Sequence, residues 1–216
     1  VNRHRGGSVL LDEPELIHNI VGEIRAALPK HCPLTVKIRL GYRDRSRFLD
    51  VVAAIVDGGA QQLTVHARTR DDGYTPPAHW HEIAPAGERF AIPIVANGEI
   101  WSPTDAEKCL KDSGCNDIML GRGILSRPDL ALSIKAAQAG DGYQDKEWQQ
   151  IFPMVRELFQ DSLVNCAPRH VGGPVKQWLG YLRRHYPEAA GLFEEIKRLR
   201  APQDLQAALL DHQQAA

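Results

Sequence analysis

Two periodicities alternate along the first 140 residues. Short β-branched runs that break off into Asn, Gly or a charged residue read as strands, and stretches with apolar positions three or four apart read as helices. Asp12–Glu13–Pro14–Glu15 has the acidic, proline-bearing composition of a helix start, and Leu16, Ile17, Ile20, Val21, Ile24 and Leu28 then share one face until Pro29. Leu34–Gly41 follows as a strand with Lys37 set among Val36, Ile38 and Leu40. A helix over Phe48–Asp57 ends at Gly58–Gly59, and a strand from Gln62 carries His66 late. After a polar loop bearing Tyr74, a helix is expected over about 78–89 and a strand over Ile92–Asn97. A helix capped by Ser102, with Pro103 at its first position, leads to a strand ending at Gly121–Arg122, and a last helix spans about Pro128–Ala139.

Regular alternation of this kind predicts a parallel sheet with crossover helices. The unusual polar residues fall late in successive strands, where a (β/α) barrel keeps its active site. Four strands cannot close a barrel of eight, so the pattern over 1–140 alone leaves the count open. From Gly140 the composition changes, no further strand is expected, and residues 141–216 read as a small all-α bundle. Its basic residues, among them Arg169, Lys176, Arg183, Arg184 and Lys197, crowd one end of the chain.

Composition narrows the picture only slightly. A net charge of −1 excludes no partner, since a neutral protein can carry a local basic face. The four cysteines (Cys32, Cys109, Cys115, Cys166) form no C-x-x-C and no zinc-spaced grouping, so no metal site is expected. No apolar run approaches a membrane span, which leaves a soluble cytoplasmic protein as the default.

Candidate chemistry gathers where strands end. Gly121, Arg122 and Gly123 suit backbone amides and a guanidinium closing on a phosphate, and Asn97, Gly98 and Glu99 close the preceding strand. Plainer readings stand beside these. Lys37 suits an inward lysine paired to a core carboxylate, His66 a satisfied core histidine, Glu99 a cap, and Tyr74 a loop-tip aromatic. Lys176, Tyr181 and Lys197 equally suit a solvated helix face.

The segments Gly6–Leu11, Val36–Gly41, Val65–Thr69, Ile92–Ile100 and Met119–Gly123 together resemble the flavin-dependent tRNA-dihydrouridine synthases, in order and in spacing. The tail V-K-Q-W-L-G-Y-L-R-R-H-Y is most similar to C-type members, which present uridine 16 of the D-loop to the flavin. The resemblance implies an FMN-bound barrel, with 1–140 as the C-terminal half of a (β/α)8 barrel, that uses NADPH to saturate the C5–C6 bond of a tRNA uracil. It implies that Lys37 meets the flavin ring near N1 and O2, that His66 hydrogen-bonds the flavin, and that Asn97, Gly98, Glu99, Gly121 and Arg122 hold the ribityl phosphate. It also places Tyr74, Lys176, Tyr181 and Lys197 on tRNA.

Two departures accompany the resemblance. The family's proton donor is a cysteine in a C-P-x-x-x-V motif, and Val1 aligns with the closing valine. None of the four cysteines is expected at a strand end, so no catalytic residue is assigned and these residues alone are expected not to turn over. Pro174 stands where the C-type pattern has an arginine, which bears on RNA register. The complete enzyme is expected to be monomeric, and these residues alone are expected to self-associate through exposed sheet edges. The alternatives are a non-catalytic tRNA-binding remnant and a phosphate-binding flavin barrel acting on a small metabolite.

Overall fold

A computed structural model of the chain describes residues 6–215. Val1, aligned above with the cysteine motif, lies outside the described residues. The chain forms two compact units, Val1–Gly121 and Arg122–Ala216.

The first unit is a four-stranded parallel sheet in sequential order: β1 (Thr35–Gly41), β2 (Gln62–Thr69), β3 (Ile94–Asn97) and β4 (Asp117–Met119). The crossovers are α2 (Phe48–Asp57), α3 (Ala84–Arg89) and α4 (Pro103–Ser113), with α1 (Pro14–Ala27) ahead of β1. Ser102 Oγ accepts from the Asp105 backbone N–H at 3.1 Å, the cap its position predicts. A 3-10 turn over Gly7–Asp12 precedes α1, and the helix expected over 78–89 is a 3-10 turn at Trp80–Glu82 followed by α3. Pro85, in the middle of this stretch, has no amide donor and breaks the ladder that one continuous helix would need.

Register sorts the strand side chains into two faces. Arg39, His66, Asn97 and Met119 form one row across the sheet, and Lys37, Thr64, Val95 and Asp117 form the row before it on the same face. The opposite face carries Leu40, Leu63, Val65, Ile94 and Ala96, all buried. The polar face is therefore one continuous surface. On α1, Ile17 and Val21 are buried while Leu16, Ile20 and Ile24 stay exposed, so the packed stripe is narrower than the sequence suggests.

The second unit is helical throughout: α5 (Arg122–Ser126), α6 (Leu130–Ala139), α7 (Trp148–Asn165), α8 (Gly172–Leu182), α9 (Pro187–Ile196) and α10 (Pro202–Ala215). Trp148, Ile151, Phe159, Leu179, Leu182 and Leu192 anchor its core. The division at Gly121 precedes the compositional change near 140 because α5 and α6 are tied to later segments. Trp178 Nε1 donates to Leu125 O at 3.0 Å, and the Lys146 N–H donates to Asp129 Oδ2 at 2.9 Å. No helix among the described residues is long and apolar enough to cross a membrane.

Candidate functional site

Lys37 is the third residue of β1 rather than a late one, one row short of His66 and Asn97. Its long stem closes that gap: Nζ donates to Asn97 Oδ1 at 3.1 Å. The partner is a neutral amide, not the core carboxylate of the plainer reading. Asn97 is 9 % exposed, and its Nδ2 donates to Met119 O at 2.7 Å. One side chain thus spans from β4 to the ammonium on β1. Lys37 is exposed as a residue, yet partial desolvation of its ammonium against the sheet, and secondarily the nearby Arg39 guanidinium, hold its pKa below the usual lysine range.

His66 is buried on the same face. Its Nε2 lies 3.5 Å from Arg68 Nη1. A guanidinium only donates, so this approach suits a neutral ring with its proton on Nδ1. Gly98 sits directly beyond, with φ of 115°. A Cβ there would come within 2.7 Å of His66 Cδ2, so the backbone passes the imidazole as closely as only glycine allows. Trp80 Nε1 donates to Gly98 O at 2.8 Å and fixes this turn.

Glu99 is the one described non-glycine residue with positive φ, at 57°. Its carboxylate pairs with Arg68 Nη2 and accepts from Trp101 Nε1 at 2.8 Å. Arg68 is completely buried, and its Nε also donates to Thr75 O at 2.9 Å. A carboxylate repels phosphate, so any phosphate contact from Glu99 falls to its backbone amide. Its side chain instead neutralises a buried arginine and holds the loop after β3.

Tyr74 is 60 % exposed, at the rim of this face. The Arg39 guanidinium lies 5.3 Å from its ring centroid, and the His66 ring 6.1 Å from it. Arg39 Nη1 also donates to Thr69 O at 2.7 Å and to Gly73 O at 3.0 Å, which anchors the loop that carries Tyr74. Lys37, Arg39, His66 and Tyr74 border an open cleft of about 670 Å³ along β1, whose remaining lining is mainly apolar, from Leu10, Leu11, Ile17, Ile20, Val21 and Val36. That volume suits a mononucleotide-sized ligand.

Gly121 follows β4 at the end of the first unit, and a Cβ on it would lie 4.0 Å from Asn97 Nδ2. Arg122 opens α5 in the second unit. Lys176 and Tyr181 lie on α8, half-buried, and Lys197 is exposed just after α9. The Lys176 ammonium donates to Leu199 O, and Lys197 pairs with Glu194. Lys176, Arg169, His170 and Arg200 border a cleft of about 850 Å³ in this unit.

The four cysteines are free thiols. Cys109 is buried on α4, and its thiol pKa is pushed up to about 12, chiefly by burial. Cys115 precedes β4 and Cys32 precedes β1, both at the entering ends of their strands. Cys166 caps α7. None stands at a carboxyl end of the sheet. Among the described residues there is no group of three or more His, Cys, Asp or Glu that could hold a metal ion.

Arg68 and Arg39 are site-forming residues that sequence reasoning placed on strands without giving them a role. The available signal was spacing: Lys37/Arg39 and His66/Arg68 are i, i+2 pairs on one strand face.

The family model for dihydrouridine synthase matches residues 1–213. The chain belongs to the dihydrouridine synthase family. Within it, the chain is 48% identical over 198 residues to the tRNA-dihydrouridine(16) synthase of Pseudomonas putida, covering 92% of this chain and 61% of that protein. It is 43% identical over 209 residues to that of Cupriavidus necator, covering 97% and 65%. It is 42% identical over 212 residues to that of Neisseria meningitidis serogroup B, covering 98% and 64%. The chain therefore spans less than two thirds of the length of these relatives.

Proposed function

We propose that the chain supplies the flavin- and RNA-binding residues of an FMN-dependent tRNA-dihydrouridine synthase, which uses NADPH to reduce uridine 16 of the D-loop to 5,6-dihydrouridine. One observation carries the cofactor reading. Lys37 and Arg39 stand two residues apart on the polar face of β1, Lys37 exposed and Arg39 half-buried, so two cations are presented together where an anionic ligand relieves their mutual repulsion. The Asn97 amide fixes the lysine at the sheet's carboxyl end, and Gly98 leaves the backbone bare beside His66. This donor set fits a planar, anionic heterocycle with a phosphate tail.

Bound FMN supplies hydride transfer between NADPH and the C5–C6 bond of uracil. Lys37 would hold the flavin ring, where a fixed cation would stabilise the negative charge that the ring carries on reduction. His66 hydrogen-bonds the same ring. The phosphate falls to Gly121, Arg122 and the backbone of Asn97–Glu99. Reduction also requires a proton at the second uracil carbon. None of the four thiols here is placed to give it, so these 216 residues bind without turning over. Tyr74 stacks on RNA at the cleft rim, and residues 141–216 grip tRNA through Lys176, Tyr181 and Lys197. The names of the relatives favour uridine 16 as the target.

The test is co-retention on immobilised unmodified tRNA. Protein loaded with FMN should elute with salt, carrying stoichiometric flavin. Flavin binding without RNA retention would favour a small-metabolite barrel, and RNA retention without flavin a tRNA-binding remnant; either contradicts the proposal.

A further inference from the structure

Tyr74 stands on the loop between β2 and the 3-10 turn at Trp80–Glu82, with its ring largely in solvent. An aromatic on a mobile loop stacks poorly on a base, because ordering the loop subtracts from the binding free energy. The hydrogen bonds beneath this loop order it in advance, and they converge on Asp72, two residues before Tyr74. Asp72 Oδ2 accepts from the Thr69 N–H at 2.7 Å, and Thr69 Oγ1 accepts from the Asp72 N–H at 3.0 Å, so the turn is closed reciprocally. The Gly73 N–H donates to Arg70 O at 3.1 Å, and the Thr75 N–H donates to Asp72 O at 3.1 Å. Tyr74 is thereby enclosed by consecutive turns that share Asp72.

Two arginines brace these turns from outside. Arg45, on the connection between β1 and α2, lies 3.6 Å from Asp72 Oδ2 and donates to Glu82 Oε1 at 3.0 Å. Arg68 Nε holds Thr75 O, just past the tyrosine. Partly exposed ion pairs such as Arg45–Asp72 contribute little alone, so the bond between the carboxylate and the Thr69 amide is the stronger member. We infer that Asp72 is a positioning residue for RNA, whose carboxylate holds the turn that presents Tyr74 to a stacked base. The inference rests on the reading above that Tyr74 stacks on RNA. Asp72 is none of the residues assigned to the flavin, so its loss should be felt by RNA and not by FMN.

The test is a double-mutant cycle on a short fluorescein-labelled oligouridylate, titrated by anisotropy into wild-type protein, Asp72→Ala, Asp72→Asn, Tyr74→Ala and the Asp72→Ala, Tyr74→Ala double variant. FMN titrations and thermal melts run alongside. Tyr74→Ala should weaken RNA binding about 5-fold or more, the low end for one stacked base. Asp72→Ala should lose part of that, about 2- to 5-fold, and should add nothing in the Tyr74→Ala background. Asp72→Asn keeps an oxygen for the Thr69 N–H and should recover most of the loss, with FMN affinity unchanged in every variant. Unchanged RNA affinity in Asp72→Ala, additivity with Tyr74→Ala, no recovery in Asp72→Asn, or a parallel loss of FMN would overturn the positioning role. If Asp72→Ala fails to fold, Thr69→Val removes the Oγ1 acceptor while keeping the shape and serves for the same cycle. Oligouridylate binding that is absent, or that Tyr74→Ala leaves unchanged, would overturn the reading of Tyr74 itself and this inference with it.

Discussion

At Gly98 a methyl group is the smallest perturbation the site can register. Gly98→Ala combines a φ of 115° with a Cβ 2.7 Å from His66 Cδ2. The expected cost is about 1–3 kcal/mol of stability, read as a lower midpoint in urea unfolding, together with displaced His66 and weakened flavin binding. Arg68→Met should cost more, about 3 kcal/mol, because it strands a largely buried Glu99 carboxylate. The additional Glu99→Gln change should recover part of that loss in the same assay. Lys37 gives a pH signature. Its folded pKa lies below the usual lysine value, so between the two values the unfolded chain binds more protons and the ligand-free protein gains stability as pH rises. Flavin affinity should move oppositely, falling as pH rises through the folded pKa and Lys37 loses its charge. At this scale the sequence was half legible. Gly98 and His66 announced themselves by position, whereas the Lys37–Asn97 bond depends on a register three strands wide. The pairing of Arg68 with Glu99 depends on a loop conformation that no periodicity reports.

Among the elements, the four strands and the crossover α2 fall where hydrophobic pattern and turn glycines place them. α5 escaped because five residues carry no measurable period, and its sequence R-G-I-L-S opens on a glycine-flanked arginine. On α8 the apolar set Val175, Leu179 and Leu182 was readable as the buried face, which leaves Lys176 and Tyr181 half-buried beside it. Lys176 donates to Leu199 O, and an ammonium has two further donors for RNA phosphate. Lys176→Glu should weaken tRNA binding about 10-fold and flatten its salt dependence, with FMN binding unchanged; a tRNA titration superposable on wild type would remove the contact.

Over the whole molecule, family membership was legible in five short motifs, four of them on a strand or where it meets its loop and one, Gly6–Leu11, on the 3-10 turn before α1. The division at Gly121 was not, since composition marks where strands stop and not which helices pack together. β1 pairs only with β2 and β4 only with β3 among the described residues, and α1 exposes Leu16, Ile20 and Ile24. Open edges and an apolar stripe of this kind favour pairing between chains. The 216 residues alone should sediment as dimers or larger species at micromolar concentration, and a monodisperse monomer in analytical ultracentrifugation would refute this.

The central claim is that the polar sheet face holds one flavin, with Lys37 as its cationic contact. An FMN titration of wild-type protein and Lys37→Met, followed by flavin fluorescence, addresses it directly. The account predicts saturable one-to-one binding that weakens at least about 10-fold in the variant, the scale of a hydrogen bond to a charged group. Equal affinity in the two proteins, or no saturable binding to either, would contradict it.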